Sequence, residues 1–596
     1  MKFFKILFAA VITALPLITI AQEEKKDVPK PNWFNLDLEK DDSFGISTEK
    51  TYEQLLKDKK GVPIIVAVID GGIDVEHEDL KSVLWVNPKE VPGNGKDDDK
   101  NGYVDDIHGW NFIGSAKGDV EFDHMEFVRI MKKLQPQYAS VVTSTPMDAK
   151  QRREFQLYTR AMSEYVGKLE QAKIGMENTS LLMKTIEEIA VKIGKVIPTA
   201  DDLSSYKASN DMESRVLRVI KAELRKEPDY NKFVEQIKDA IKYYDTQIKY
   251  NLNPDFDPRT IVGDNYEDSR EQFYGNPNIE GPDAEHGTHV AGIIGAVRDN
   301  GVGIKGVANN VRLMGIRTVP NGDERDKDVA NSIRYAVDNG AKVINMSFGK
   351  SYSWDKVIVD EAVKYAVSKD VLLVHAAGND GQNTDRSNNF PTRIYGDTTD
   401  ANFMNIRPNI GGSPQGGMGP GGPPNGMPGR GMGSIGGMNN SAVQRASLDS
   451  IRAARPKAEN WIEVGAVSWK NHEDLVAEFS NYGKASVDVF APGVKINSTM
   501  PDSKYKDNDG TSMASPVVAG LAALLWSHYP SLSAVQIKDL IMKSVVKPDQ
   551  KVKISENGVN NKVLLSEISI SGGVVNAYKA FVLAQQLYGA VDAKAK

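Results

Sequence analysis

The 596-residue chain has no cysteine. That absence excludes a disulfide scaffold, thiolate zinc sites, iron–sulfur clusters, a cysteine nucleophile and lipidation at a lipobox cysteine. Any chemistry must therefore use oxygen and nitrogen groups. Clusters of Lys and Arg interleaved with aromatics are also missing and the net charge is −7, which argues against nucleic acid as a partner. Past the first 21 residues, no apolar run approaches the roughly 20 residues that a membrane-spanning helix needs. The start of the chain reads as an export signal: Lys2 and Lys5, an apolar run from Ile6 to Ile20 interrupted by Pro16, then Thr19-Ile20-Ala21. Cleavage is expected after Ala21, with the mature chain in the periplasm or the medium. Apolar residues make up 40% and charged residues 26%, near globular averages, so a sizeable core can form.

The pattern along the chain predicts four segments, one of them interrupted twice. After the signal (1–21) comes a polar arm (22–60) carrying Trp33, Phe34 and Leu36. A main domain follows over 61–585. Its runs Val62 to Asp70, Val311 to Ile316, Lys342 to Ser347 and Val371 to Ala376 are nearly continuous apolar and β-branched stretches, the mark of strands buried on both faces of a parallel sheet. Helical stretches such as 328–338 and 355–368 fall between them, which predicts an α/β fold: a doubly wound, mostly parallel sheet with helices on both faces. Two stretches interrupt this rhythm. Residues 114–260 are rich in Glu, Lys, Gln, Met and Leu at helical spacing and predict an inserted helical subdomain, with start signals at Asp201 and Ser209–Asp211. Residues 411–440 hold 13 Gly and 5 Pro in 30 positions, too little apolar surface to order themselves. A short Lys-rich tail, 586–596, closes the chain.

Three motifs combine residue type with position. Asp70 ends a buried strand; Glu285-His286-Gly287-Thr288-His289 opens one helix and Gly510-Thr511-Ser512-Met513-Ala514 another. In an open α/β sheet, strand ends and the helix starts after them face a common crevice. An acid, an imidazole and a hydroxyl would meet there, and a serine needs a nearby base that is itself held by a carboxylate. Small residues around Ser512 let its helix pack tightly with its positive end toward a developing anion. Ala377-Gly378-Asn379 follows another strand, so the Asn379 amide is a candidate oxyanion donor. Taken one at a time, the Asp and Ser are ordinary capping residues. The pair His286/His289 lacks a zinc-binding HExxH pattern.

These segments, in the order Asp, His, Asn, Ser, resemble the signature motifs of the subtilases, the subtilisin-like serine proteases. The resemblance covers roughly 61–112, 281–380 and 460–585 and implies a serine endopeptidase that hydrolyses polypeptides through an acyl-enzyme. Asp70 would orient the imidazole, His286 act as base and then acid, Ser512 attack, and Asn379 with the Ser512 N–H hold the oxyanion. Ser347-Phe348-Gly349 would pair with substrate backbone, and Ala376-Ala377-Gly378 would wall the specificity pocket. The family's second pairing edge has a Gly-x-Gly sequence. Here Asn321 to Asp326 stands in its place with one glycine and three acids. Triad chemistry also suits other acyl transfers, but a strand-pairing edge favours a polypeptide substrate.

Between Asn94 and Asp106, alternating Asp97, Asp99 and Asn101, a turn at Gly102 and a following carboxylate predict a structural Ca2+ site. Its expected ligands are Asp97, Asp99, Asn101, Asp105 and the Tyr103 carbonyl. The helical insertion either folds over or beside the cleft, or stands apart as a surface for another protein.

Overall fold

The computed structural model describes residues 28–396 and 455–589, apart from 144, 227 and 557. The expected signal segment, the Gly- and Pro-rich stretch 411–440 and residues 590–596 of the tail lie outside the described residues.

The apolar runs become a seven-stranded, wholly parallel sheet: β1 (Ile64–Asp70), β2 (Gly109–Asn111), β3 (Val311–Arg317), β4 (Val343–Met346), β5 (Leu372–Ala376), β6 (Trp461–Val467) and β7 (Val489–Pro492). The order is β2-β3-β1-β4-β5-β6-β7. The winding of successive strands thus reverses around β1, and such a switch point opens a crevice at the carboxyl ends of the strands. Side chains alternate along β1. Val66 and Val68 face one apolar cluster with two helices, Glu285–Gly295 and Thr511–His528, while Ala67 and Ile69 face another with Asp326–Asp338 and Lys356–Ser368. Both faces of the sheet are covered, which explains the uninterrupted apolar strands. The helix Thr511–His528 is buried along its whole length, as expected of a segment apolar on every side. Trp33 and Phe34 of the N-terminal arm join the same cluster, and the Trp33 indole donates to the Val494 and Lys495 carbonyls, both at 3.2 Å.

Between β2 and β3 the chain turns helical. We label these helices α1 (Glu126–Tyr138), α2 (Ala149–Ile193), α3 (Asp211–Lys226) and α4 (Tyr230–Thr246). At about 1.5 Å per residue, the 45 residues of α2 make a rod that α4 runs along. A reciprocal cap at Asp148 and Gln151 starts α2, and Gly194 in the left-handed conformation ends it. The start signal expected at Asp201 is a cap two residues earlier, Thr199 with Asp202. This helical part has two apolar clusters of its own: one at its root around Phe127, Met131 and Tyr158, one at its tip around Ile186, Ile220 and Phe233. Tyr352, from the loop after β4, belongs to the root cluster. No helix among the described residues is long and apolar enough to cross a membrane.

Candidate active site

Asp70 ends β1 with its side chain buried. The next helix to reach the crevice is α5 (Glu285–Gly295), and its second residue, His286, points Nδ1 at Asp70 Oδ1 across 2.7 Å. The carboxylate can only accept, so Nδ1 is the donor and Nε2 is left toward the cleft. The Gly71 N–H also donates to Asp70 Oδ1, at 2.7 Å. So close an approach depends on Gly287: a Cβ there would lie 2.1 Å from the Gly72 carbonyl oxygen. The His286 side chain keeps 25% of its surface exposed. Burial works against its charge, but the Asp70 carboxylate, through charge and hydrogen bond, and Asp283 outweigh burial and raise its pKa. His289, three residues on, is fully buried against the Lys506 carbonyl at 3.0 Å, and burial pushes its pKa down to about 3. It is a neutral core residue.

Ser512 is the second residue of α6 (Thr511–His528). Its hydroxyl donates to the Ser347 carbonyl at 3.0 Å, and the Ser347 hydroxyl donates to the Ser512 carbonyl at 2.9 Å. This exchange fastens the helix start to the end of β4. The described hydrogen bonds do not join Ser512 to His286. The nucleophile's side chain is turned toward Ser347, and catalysis requires its Oγ to turn to His286 Nε2, a contact that often tightens only once substrate is bound.

Asn379 follows β5. Its Oδ1 accepts from both the N–H and the hydroxyl of Thr511, at 2.8 and 2.9 Å. With the oxygen held, the amide NH2 is the free end. A Cβ built on Gly510 would lie 3.5 Å from both Asn379 Nδ2 and Ser512 N, so the side-chain and backbone donors flank one spot. Ala376 and Ala377 are buried, Gly378 and Gly349 half-buried. Asn389 donates to the Ala376 carbonyl at 2.9 Å, and a Cβ on Gly349 would lie 2.2 Å from Asn389 Oδ1. Among the described residues the backbone of Phe348 and Gly349 enters no hydrogen bond, so this edge is unpaired there.

The acidic loop differs from its expected ligand set. Carboxylate oxygens of Glu90, Asp97 and Asp99 lie within 4.8 Å of one another. Asp105 is outside that group and accepts from the N–H groups of Asn94 and Gly95 at 3.2 and 2.8 Å. Asn101 Oδ1 is taken by the Tyr103 N–H at 2.8 Å, and the Tyr103 ring is packed against Trp110, Phe112 and Tyr335. Glu90 was not legible in the sequence, where a lone acid before Val91-Pro92-Gly93 reads as part of a turn. It is buried, and its Oε2 has no hydrogen-bond partner among the described residues. An orphaned buried carboxylate oxygen beside two more carboxylates is a donor set suited to a hard cation.

The relatives are consistent with this geometry. The chain is 34% identical over 289 residues to a thermophilic serine proteinase of Bacillus sp. strain AK1, covering 48% of this chain and 52% of that protein. It is 32% identical to subtilisin DY of Bacillus licheniformis, covering 43% of this chain and 68% of that one. The matches thus span between about half and two thirds of these relatives. A solved protease of Pseudoalteromonas arctica aligns over 51% of this chain and 73% of its own at 24% identity, with a TM-score of 0.34. A sequence profile of the subtilase family matches residues 238–563. That span holds His286, Asn379 and Ser512 but stops short of Asp70, which lies beyond the long helical stretch and rejoins the others only in the fold. With more than half its length inside that profile, the chain belongs to the subtilase family.

Proposed function

We propose that the protein is an exported serine endopeptidase acting on polypeptides through an acyl-enzyme. The reading is carried by one observation, the 2.7 Å Asp70–His286 pair at the same crevice as the start of the helix bearing Ser512. Asp70 holds the imidazole in the tautomer that leaves Nε2 free to take the Ser512 proton as Oγ attacks the scissile carbonyl. The oxyanion then accepts from the Asn379 amide and the Ser512 N–H, both fixed before reaction. Imidazolium next to Asp70 gives its proton to the leaving amine, and water enters by the reverse route. Substrate backbone adds to the unpaired Phe348–Gly349 edge. The test is labelling of the purified chain with a fluorophosphonate beside Ser512→Ala. Labelling of the parent alone supports the reading, and labelling of neither, or of both equally, refutes it.

Asn379→Ala is expected to lower kcat by about 10²–10³ with KM little changed, because the amide acts on the oxyanion and not on the bound substrate. Steady-state kinetics on one peptide amide decide this.

Calcium completes the proposal as a structural ion held by Glu90, Asp97 and Asp99, with Asn101, Asp105 and the Tyr103 carbonyl in the surrounding loop. It would neutralise the Glu90 oxygen that has no partner. At 100–1,000 times its Kd, a bound ion stabilises by about 3–4 kcal/mol. Chelation is therefore expected to lower Tm by several degrees, with Asp97→Ala removing that response to calcium. Equal Tm values with and without calcium in differential scanning calorimetry would exclude the site. The helical stretch between β2 and β3 is proposed to act at the cleft, with an additional protein partner for its outer surface as a second reading.

A further inference from the structure

The groove beside Phe348–Gly349 has an opposite wall, the segment Asn321 to Asp326, whose backbone is already used. Asn321 N–H donates to the Glu121 carbonyl at 2.7 Å, Asp123 N–H to the Asn321 carbonyl at 3.1 Å, and Asp323 N–H to the His124 carbonyl at 3.2 Å. Residues 121–124 thus lie alongside 321–323 as an added parallel strand. Gly322 admits them: at φ +144° a Cβ there would lie 2.2 Å from the Asp123 carbonyl oxygen. Arg129 of α1 donates to the carbonyls of Asp323 and Glu324, both at 3.0 Å. Lys350, next after Gly349, reaches across to the Glu324 carbonyl at 2.7 Å and to Asp326 at 2.9 Å. The two walls are therefore joined just beyond Gly349.

The junction is rigid. Arg325 pairs with Asp123 at 2.6 Å and Arg129 Nε with Glu126 at 2.7 Å; Arg325, Asp123 and Glu126 are buried and Arg129 is half-buried. Glu126 also accepts from the Trp354 N–H at 3.1 Å. Breaking a buried pair leaves an uncompensated charge, which costs several kcal/mol, so this is no loose flap. The three acids of 323–326 are buried: Asp326 pairs with Lys350 at 2.9 Å and Asp323 accepts from the Glu126 N–H at 2.7 Å.

On the peptidase reading, His286 serves the leaving amine, so the acyl half of the substrate runs along Ser347 to Gly349, toward Lys350. Two strand steps cover about 7 Å, which is room for three residues. We infer that residues 121–129 and Lys350 close the acyl side of the groove after about three residues, with Lys350 and Arg129 setting the limit. Substrates gain nothing from acyl-side residues beyond the third, and a longer chain must turn out to solvent there.

The test measures binding, so that it stands apart from turnover. Fluorescent peptides with a fixed leaving half and two to six acyl-side residues are titrated by anisotropy into full-length Ser512→Ala. Affinity is expected to rise up to three residues and then change less than threefold. A rise of threefold or more between three and six residues overturns the inference. In Lys350→Gly, and independently in Glu126→Ala/Arg129→Ala, each checked for native thermal unfolding, a rise of at least threefold over the same interval is expected. Its absence in every variant that folds also overturns the inference. Fluorophosphonate labelling of the parent chain, read separately, reports on the peptidase reading alone.

Discussion

Ser512→Ala is expected to lower kcat about a millionfold, the loss found when a triad nucleophile is removed, leaving only the catalysis that binding and the oxyanion donors provide. The size follows from the division of labour. Without Oγ there is no acyl-enzyme, and His286 can at best direct a water at the carbonyl. Structural damage should be small, because the hydroxyl makes one hydrogen bond, to Ser347, worth about 1 kcal/mol, while the bond from the Ser347 hydroxyl to the Ser512 carbonyl persists. Turnover of a peptide amide and calorimetry on the same preparation separate the two effects. Retention of more than about a hundredth of the activity would show that another group attacks.

Asp70→Asn is expected to lower kcat by about 10⁴ with little change in KM. The amide can donate to Nδ1, which moves the imidazole proton to Nε2 and leaves no base facing Ser512. The same variant tests the electrostatics. In the parent the net effect of Asp70 and Asp283 against burial is to raise the His286 pKa, so kcat/KM should climb with pH through a midpoint above the ordinary imidazole value of about 6.5. Removing the carboxylate leaves burial, which acts in the opposite direction, and the midpoint of the residual activity should fall below that of the parent. Stability follows the same sign: a folded-state value above the unfolded one contributes stability below about pH 6.5 and loses it as pH rises through the folded value. A pH profile of the variant with an unshifted midpoint would show that Asp70 does not govern this histidine.

The strands that were legible share one property. β1, β3, β4 and β5 are short apolar runs buried on both faces, and that condition writes itself into consecutive residues. β6 carries the same burial, but Glu463 interrupts its apolar run. Its carboxylate is satisfied inside the fold by His375 at 3.0 Å and by the Trp461 indole at 2.8 Å. β2 is three residues long and has no periodicity to read.

Within the site, local chemistry marked Asp70, His286, Asn379 and Ser512, since each sits at an element end with glycine or other small residues where backbones must come close. The sequence by itself determined the α/β class, the order of these motifs and the family resemblance. Only the tertiary structure decided which oxygen Ser512 faces, that Glu90 joins Asp97 and Asp99, and that residues 121–129 lie against 321–324 where a substrate edge was expected. The physical reason is range. Strand burial and helix starts depend on neighbours a few residues away. The pairing of Asp123 with Arg325, or of Arg129 with the Glu324 carbonyl, joins positions about 200 apart and leaves no periodic trace in either segment.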